Sequence, residues 1–111
     1  MSNFPHYGDI ISINFDPQSG NEIKKQRPAL VVSNDFFNEK TFMAVVCPIT
    51  STKKPFPLHV QLDKRTSVQG DIICEQTKSL DYAARGWHKI ESAPEEIADK
   101  AVNIINRIIG K

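Results

Sequence analysis

The hydrophobic period of this chain changes once, at Ser92. Upstream, apolar side chains come in short runs, several of them strictly alternating, with turn formers between. Downstream, they recur at helical spacing. A strand sends successive side chains to opposite faces, whereas a helix gathers positions i, i+3 and i+4 on one side. In residues 8–15, Ile11, Ile13 and Phe15 alternate with Ser12 and Asn14, the pattern of a half-buried strand. The stretch Asp16-Pro17-Gln18-Ser19-Gly20-Asn21 ends it. A charged loop then leads to residues 28–32, a buried strand with Pro28 at its first position, where a missing N–H is tolerated. Residues 34–40 read as a short turn or helical connection. Residues 42–49 form another apolar, β-branched run. In residues 57–62, Leu58, Val60 and Leu62 alternate with His59 and Gln61, so His59 is expected to face away from the core. Residues 70–77 and 87–90 supply the remaining strands. Five or six short strands in about 90 residues predict a compact antiparallel barrel or sandwich.

The closing segment predicts an amphipathic helix. Ser92-Ala93-Pro94-Glu95 has the form of a capping box, with Ser92 as N-cap. Ile97, Ala101, Ile104, Ile105 and Ile108 make the apolar stripe that packs on the sheet, and Gly110 is placed to end the helix.

With 111 residues the chain suffices for one domain, spanning 1–111, with a single modest core. No apolar run approaches the roughly 20 residues that cross a bilayer, and the first residues lack the basic and apolar regions of a signal peptide. The expected location is the cytoplasm. Cys47 and Cys74 each sit inside an apolar run without a partner at metal-ligand spacing, so each reads as a small buried hydrophobe with a free thiol. The net charge of +1 conceals an asymmetry: residues 24–65 carry a net +5. Lys24, Lys25, Arg27, Lys40, Lys53, Lys54, Lys64 and Arg65 supply it, against acidic flanks. Such a distribution suits either a polyanion-binding surface or a set of solvated loop charges.

Several chemistries have no counterpart in the sequence. It contains no glycine-rich phosphate loop, no HExxH, no pair of histidines at ligand spacing and no nucleophile elbow. No metal and no cofactor are expected. Two residues stand out by position. Arg27 directly precedes a buried strand, so its planar fork can be aimed at a phosphate. Thr50 directly follows the run 42–49 and precedes a basic loop. Read singly, each has an ordinary structural explanation. An arginine near Glu22 forms a surface ion pair, and a threonine at a strand end is a turn hydroxyl.

Taken together, the motifs resemble a known family. The segment Gly8-Asp9-Ile10-Ile11-Ser12-Ile13-Asn14-Phe15-Asp16-Pro17, then Gly20-Asn21-Glu22 and Arg27-Pro28-Ala29-Leu30-Val31-Val32-Ser33-Asn34, resembles the opening of MazF/PemK toxins. Val46-Cys47-Pro48-Ile49-Thr50 is similar to the family's second motif. Asp71-Ile72-Ile73-Cys74-Glu75-Gln76-Thr77-Lys78-Ser79-Leu80-Asp81 is similar to its third. The chain departs from the family at Gly20-Asn21-Glu22-Ile23-Lys24-Lys25, where members often have Gly-Ser-Glu-Gln-x-Gly. Gln26 stands where some relatives carry a histidine.

The resemblance implies an SH3-like antiparallel β-barrel with a C-terminal helix, shared with the gyrase-poisoning toxin CcdB. It implies a homodimer that binds single-stranded RNA between subunits and is inhibited by a cognate antitoxin protein. The implied reaction is metal-independent, sequence-specific cleavage of mRNA, leaving a 2′,3′-cyclic phosphate and a 5′-hydroxyl. Arg27 and Thr50 fall on the catalytic positions. The wider RNA-binding or loop-positioning set comprises Glu22, Lys24, Lys25, Asn34, Lys53, Lys54, His59, Gln76 and Arg85. From the residues themselves, His59 is the spare candidate for proton transfer, with an exposed polar role the leading reading, and Phe36, Phe37, Tyr82 and Trp87 are either stacking faces or, the leading reading, packing in the core or dimer interface. The alternative is a non-catalytic toxin or binding module on the same fold, in the manner of a gyrase poison.

Overall fold

The computed structural model describes residues 3–15, 26–52 and 55–111. Seven strands and three helices follow in chain order: β1 (Asp9–Asn14), β2 (Gln26–Val31), α1 (Asp35–Thr41), β3 (Met43–Thr50), β4 (His59–Gln61), β5 (Asp71–Ile73), β6 (Lys78–Asp81), α2 (Tyr82–Arg85), β7 (Trp87–Ser92) and α3 (Glu95–Ile109). All pairings are antiparallel. The sheet runs β4-β5-β3-β2-β1-β7, and β6 also pairs with β3. It is an open sheet whose pivot is β3. The first half of β3 pairs with β6, and its last two residues, Ile49 and Thr50, pair with Ile72 and Asp71 of β5.

Both faces of the sheet carry apolar side chains. On one, Ile10, Leu30, Cys47, Ile49, Val60 and Ile72 pack against Ile97 and Ala101 of α3. On the other, Ile11, Ile13, Ala29, Val31, Ala44, Val46, Leu80 and Tyr82 form a second cluster edged by Trp87. Burial on both faces corrects the expectation of a half-buried first strand: all six residues of β1 are buried. β1 lies between β2 and β7, so its polar positions are enclosed too. Ser12 meets this by donating to Gln26 Oε1 at 2.8 Å, as buried polar groups require.

Other boundaries shift for local reasons. Pro28 is the third residue of β2, not the first, and stands opposite Ser12. The expected strand over 70–77 stops at Ile73 and closes in a 3₁₀ turn, Cys74–Gln76. Ser92 does not cap α3, because it is the last residue of β7 and pairs with Asp9. Pro94 takes the N-cap, and its carbonyl accepts from Ile97 N and Ala98 N. The apolar stripe of α3 is buried only in its first half, and Ile108 is exposed. Cys47 and Cys74 are both free and buried. The Cys74 thiol hydrogen-bonds to Cys47 and lowers the Cys47 thiol, while that bond and burial push Cys74 up.

Candidate active site

Register brings Arg27 and Thr50 together. The β2–β3 ladder pairs Ala29 with Pro48, Leu30 with Cys47 and Val31 with Val46. Continued by two residues, the same register sets Arg27 opposite Thr50. Directly opposed residues share a face. Here that face carries Ala29 and Val46 of the second apolar cluster. Arg27 and Thr50 therefore extend a packed surface past its end, where the apolar residues stop. Pro28 and Pro48 stand at this end and have no N–H to give a ladder.

Both residues line one groove of about 350 Å³, with Pro28, Pro48, Ile49, Ser51, Gln69, Ile73 and Gln76. The Arg27 side chain is exposed, and among the described residues no carboxylate lies within ion-pair distance of it. Thr50 Oγ1 accepts a hydrogen bond from Thr52 N at 3.3 Å. A hydroxyl that accepts from its own loop keeps its proton to donate outward. Gly70 backs the site. Its φ is +125°, and an ideal Cβ there would lie 1.9 Å from the Thr50 carbonyl oxygen. Only glycine allows that approach.

The remaining expected residues divide. Gln76 joins the groove from the 3₁₀ turn. Asn34 sits beyond the far end of β2, where its Oδ1 accepts from Phe37 N at 2.8 Å and caps α1. Arg85 ends α2, and its Nη1 donates to the Asn14 carbonyl at 3.0 Å, holding the end of β1. Glu22, Lys24, Lys25, Lys53 and Lys54 lie outside the described residues. His59 lies on β4, which β5 separates from β3, and its side chain is only 13% accessible. Two strand spacings make its distance from Thr50 roughly 10 Å. That exceeds the hydrogen-bond reach of a proton on the same phosphate. Of the aromatics, Tyr82 is buried and its hydroxyl donates to the Asn38 carbonyl at 2.6 Å. Trp87 packs edge-on against Tyr82, Phe37 is half-buried, and Phe36 is exposed.

Sequence reading missed the neighbours of His59. Its Nδ1 lies 3.5 Å from Asp71 Oδ2, and its Nε2 lies 3.1 Å from Glu75 Oε2. These residues are 12 and 16 positions away in the chain, and no spacing rule links them. The only available signal was the alternation that put His59 and Gln61 on one face.

The family of PemK-like, MazF-like toxins of type II toxin–antitoxin systems matches residues 6–109. The chain belongs to this family. Its relatives include the Endoribonuclease toxin MazF of Escherichia coli K12, 38% identical over 94 residues that cover 84% of each chain. The crystal structure of MazF (Form-I) from Deinococcus radiodurans superposes with a TM-score of 0.87 at 30% identity, covering 99% of this chain and 100% of that one. A MazE–MazF crystal structure (Form-II) from the same organism gives 0.85 at 27% identity, covering 98% of both. The family fold is thus the open, mainly antiparallel sheet with a C-terminal helix described above.

Proposed function

We propose that this chain is a metal-independent endoribonuclease toxin that cuts single-stranded mRNA in the groove between Arg27 and Thr50. The observation that carries the reading is the convergence of a guanidinium and a hydroxyl, from opposed strand ends, on one open groove. Family membership supplies the substrate class, since relatives at 38% and 32% identity are named endoribonucleases.

RNA brings its own nucleophile. The ribose 2′-hydroxyl attacks the adjacent phosphorus, the bond to the 5′-oxygen breaks, and a 2′,3′-cyclic phosphate and a 5′-hydroxyl result. The protein has to orient the phosphate in line and stabilise the added charge, and orientation alone lowers the barrier by several kcal/mol. Arg27 addresses the non-bridging oxygens bidentately. Thr50 donates one further hydrogen bond, and Gln76 borders the chain path. A single strand is required because attack geometry and base edges are blocked in a duplex. The acting unit is residues 1–111 as one toxin domain, working as a homodimer in the cytoplasm, where mRNA is found. A cognate antitoxin that covers the groove inhibits it. Ile108 and Ile109, exposed on the last turn of α3, offer apolar surface to a second copy.

Purified protein should cut single-stranded RNA in excess EDTA and spare DNA of the same sequence. Arg27→Ala and Thr50→Ala should each lower the single-turnover rate on the order of 10²–10³-fold, with circular dichroism unchanged. A divalent-metal requirement, or near-normal rates in both variants, would refute the mechanism.

A further inference from the structure

Cys47 and Cys74 take no part in the Arg27/Thr50 groove, yet the topology sets them face to face. The β3–β5 ladder pairs Thr50 with Asp71 and Ile49 with Ile72. Continued by two residues, that register sets Cys47 opposite Cys74. Side chains return to the same face at every second residue of a strand. Cys47 therefore shares the face of Ile49, and Cys74 that of Ile72, and all four belong to the apolar cluster beneath α3. Cys74 lies just past the end of β5, but its N–H still donates to the Leu58 carbonyl at 3.3 Å, which keeps it in line with the strand. Thr77 Oγ1 donates to the Cys74 carbonyl at 2.6 Å and lies 3.2 Å from Cys47 Sγ, so the neck of the 3₁₀ turn rests on Cys47. The two thiols are themselves in hydrogen-bond contact.

Directly opposed residues of an antiparallel pair have Cα atoms roughly 4.5–5.5 Å apart. A disulfide bridges Cα atoms about 4.4–6.8 Å apart, so the backbone is already in place for one. Cys47 is 0% exposed and Cys74 1%. A bulky disulfide reagent has no path to them in the closed fold, whereas a small oxidant needs only a brief local opening. The bond would constrain the turn after β5. Gln76 ends that turn and lines the groove with Thr50, which ends the strand that carries Cys47. A disulfide is about 2.05 Å long, shorter than any hydrogen-bond contact between thiols. Closing it therefore draws the turn and β3 together by on the order of 1 Å.

We propose that Cys47 and Cys74 form a peroxide-sensitive dithiol, and that closing it to a disulfide slows RNA cleavage by displacing Gln76 and Thr50 relative to Arg27. The Cys47 sulfur attacks one oxygen of hydrogen peroxide, the O–O bond breaks, and hydroxide leaves to take up the Cys47 proton as water. The Cys74 sulfur then attacks the resulting sulfenic sulfur. The S–O bond breaks, and the oxygen leaves as water with the Cys74 proton. Two electrons pass from the sulfurs to peroxide, and a thiol reductant returns them by exchange. Cys47 reacts first: the Cys74 hydrogen bond holds its thiol below the ordinary value, while that same bond and burial push Cys74 up. The effect on cleavage rests on the endoribonuclease reading above, and the disulfide itself does not.

The test treats reduced protein with hydrogen peroxide and follows peptide mass and RNA cleavage together. Wild-type protein should acquire a Cys47–Cys74 crosslink within one chain, with no oxygen on either sulfur. Its single-turnover rate should fall on the order of 10²-fold, as a misplacement of about 1 Å can cause, and dithiothreitol should restore it. Cys47→Ala should cleave at the reduced wild-type rate and keep that rate through the same treatment. Cys47→Ser, which keeps the volume and a polar partner for Thr77, answers the same question should alanine unfold the core. Cys74→Ala should stop at a sulfenic acid on Cys47. A crosslink between chains, oxygen on wild-type sulfur in place of a crosslink, or crosslinked protein that cleaves at the reduced rate would overturn the switch. Each of these leaves the Arg27/Thr50 chemistry standing. Reduced wild-type protein that cuts no RNA would overturn that chemistry instead, and the crosslink alone would then decide the dithiol.

Discussion

Thr50 owes its aim to a residue that makes no hydrogen bond to it. Gly70 passes so close to the Thr50 carbonyl that any side chain would collide, and its φ of +125° is one that L-residues rarely adopt. Leu62 N donates to the Gly70 carbonyl at 2.9 Å, which fixes the glycine from the other side. Gly70→Ala must therefore displace the end of β3 or the loop before β5. The expected cost is on the order of 1–3 kcal/mol of stability from backbone strain alone, with a fall in cleavage rate because Thr50 moves relative to Arg27. Urea unfolding and single-turnover cleavage read the two effects separately. A variant with wild-type rate and midpoint would show that Thr50 is positioned otherwise. The motif that ends in Thr50 was legible in sequence, as was Arg27 before its strand. The dependence on Gly70 was not, because a close backbone approach leaves no trace in composition.

At the level of elements, the long periodic segments were legible and the short ones were not. α3 and β1–β3 announced themselves by apolar repeats over five or more residues. β6 has one buried apolar residue, Leu80, and so has no period to read. α2 is one turn, capped by the Asp81 side chain on Ala84 N, and a single turn carries no pattern. Within α3 the stripe identified the packed face, but the sheet decided how far along the helix that packing runs. Ile97 is 2% exposed in the core against β-sheet residues, while Ile109 is 77% exposed. Ile97→Ala should thus destabilise by about 2–5 kcal/mol, the usual range for a buried large-to-small change. Ile109→Ala should change the stability of the subunit by less than about 0.5 kcal/mol. Equal losses in a denaturant titration at a concentration that keeps the subunit monomeric would mean that the last turn of α3 packs within the subunit.

Across the whole molecule, segments distant in sequence are tied by carboxylates, and this sets how the fold responds to acid. Asp35 accepts from His6 Nδ1 at 2.7 Å and Tyr7 N at 2.8 Å, joining the N-terminal segment to α1. The His6 bond is the main reason its carboxyl lies below the usual range. Burial would raise Glu91, but hydrogen bonds from Val68 N, Ser67 N and the Ser67 hydroxyl outweigh it and hold it low. Arg65 binds both Asp63 and Glu96, linking the loop after β4 to α3, and holds Asp63 down at about 2 and Glu96 below its ordinary value. The Arg65 charge, counted from sequence as part of a basic middle third, is therefore spent inside the fold. A carboxylate depressed by folding binds protons more weakly folded than unfolded, so it stabilises above its unfolded value. That stabilisation disappears as pH falls through the folded value. Urea midpoints should accordingly be level from neutrality down to about pH 5 and decline from there toward pH 2. Asp63 and Glu96 are fully exposed and should contribute little, since water screens such pairs. Glu91, with three donors on one carboxylate, should contribute more. Glu91→Gln should flatten part of the acid decline, and an unchanged slope in that variant would assign acid sensitivity to other groups.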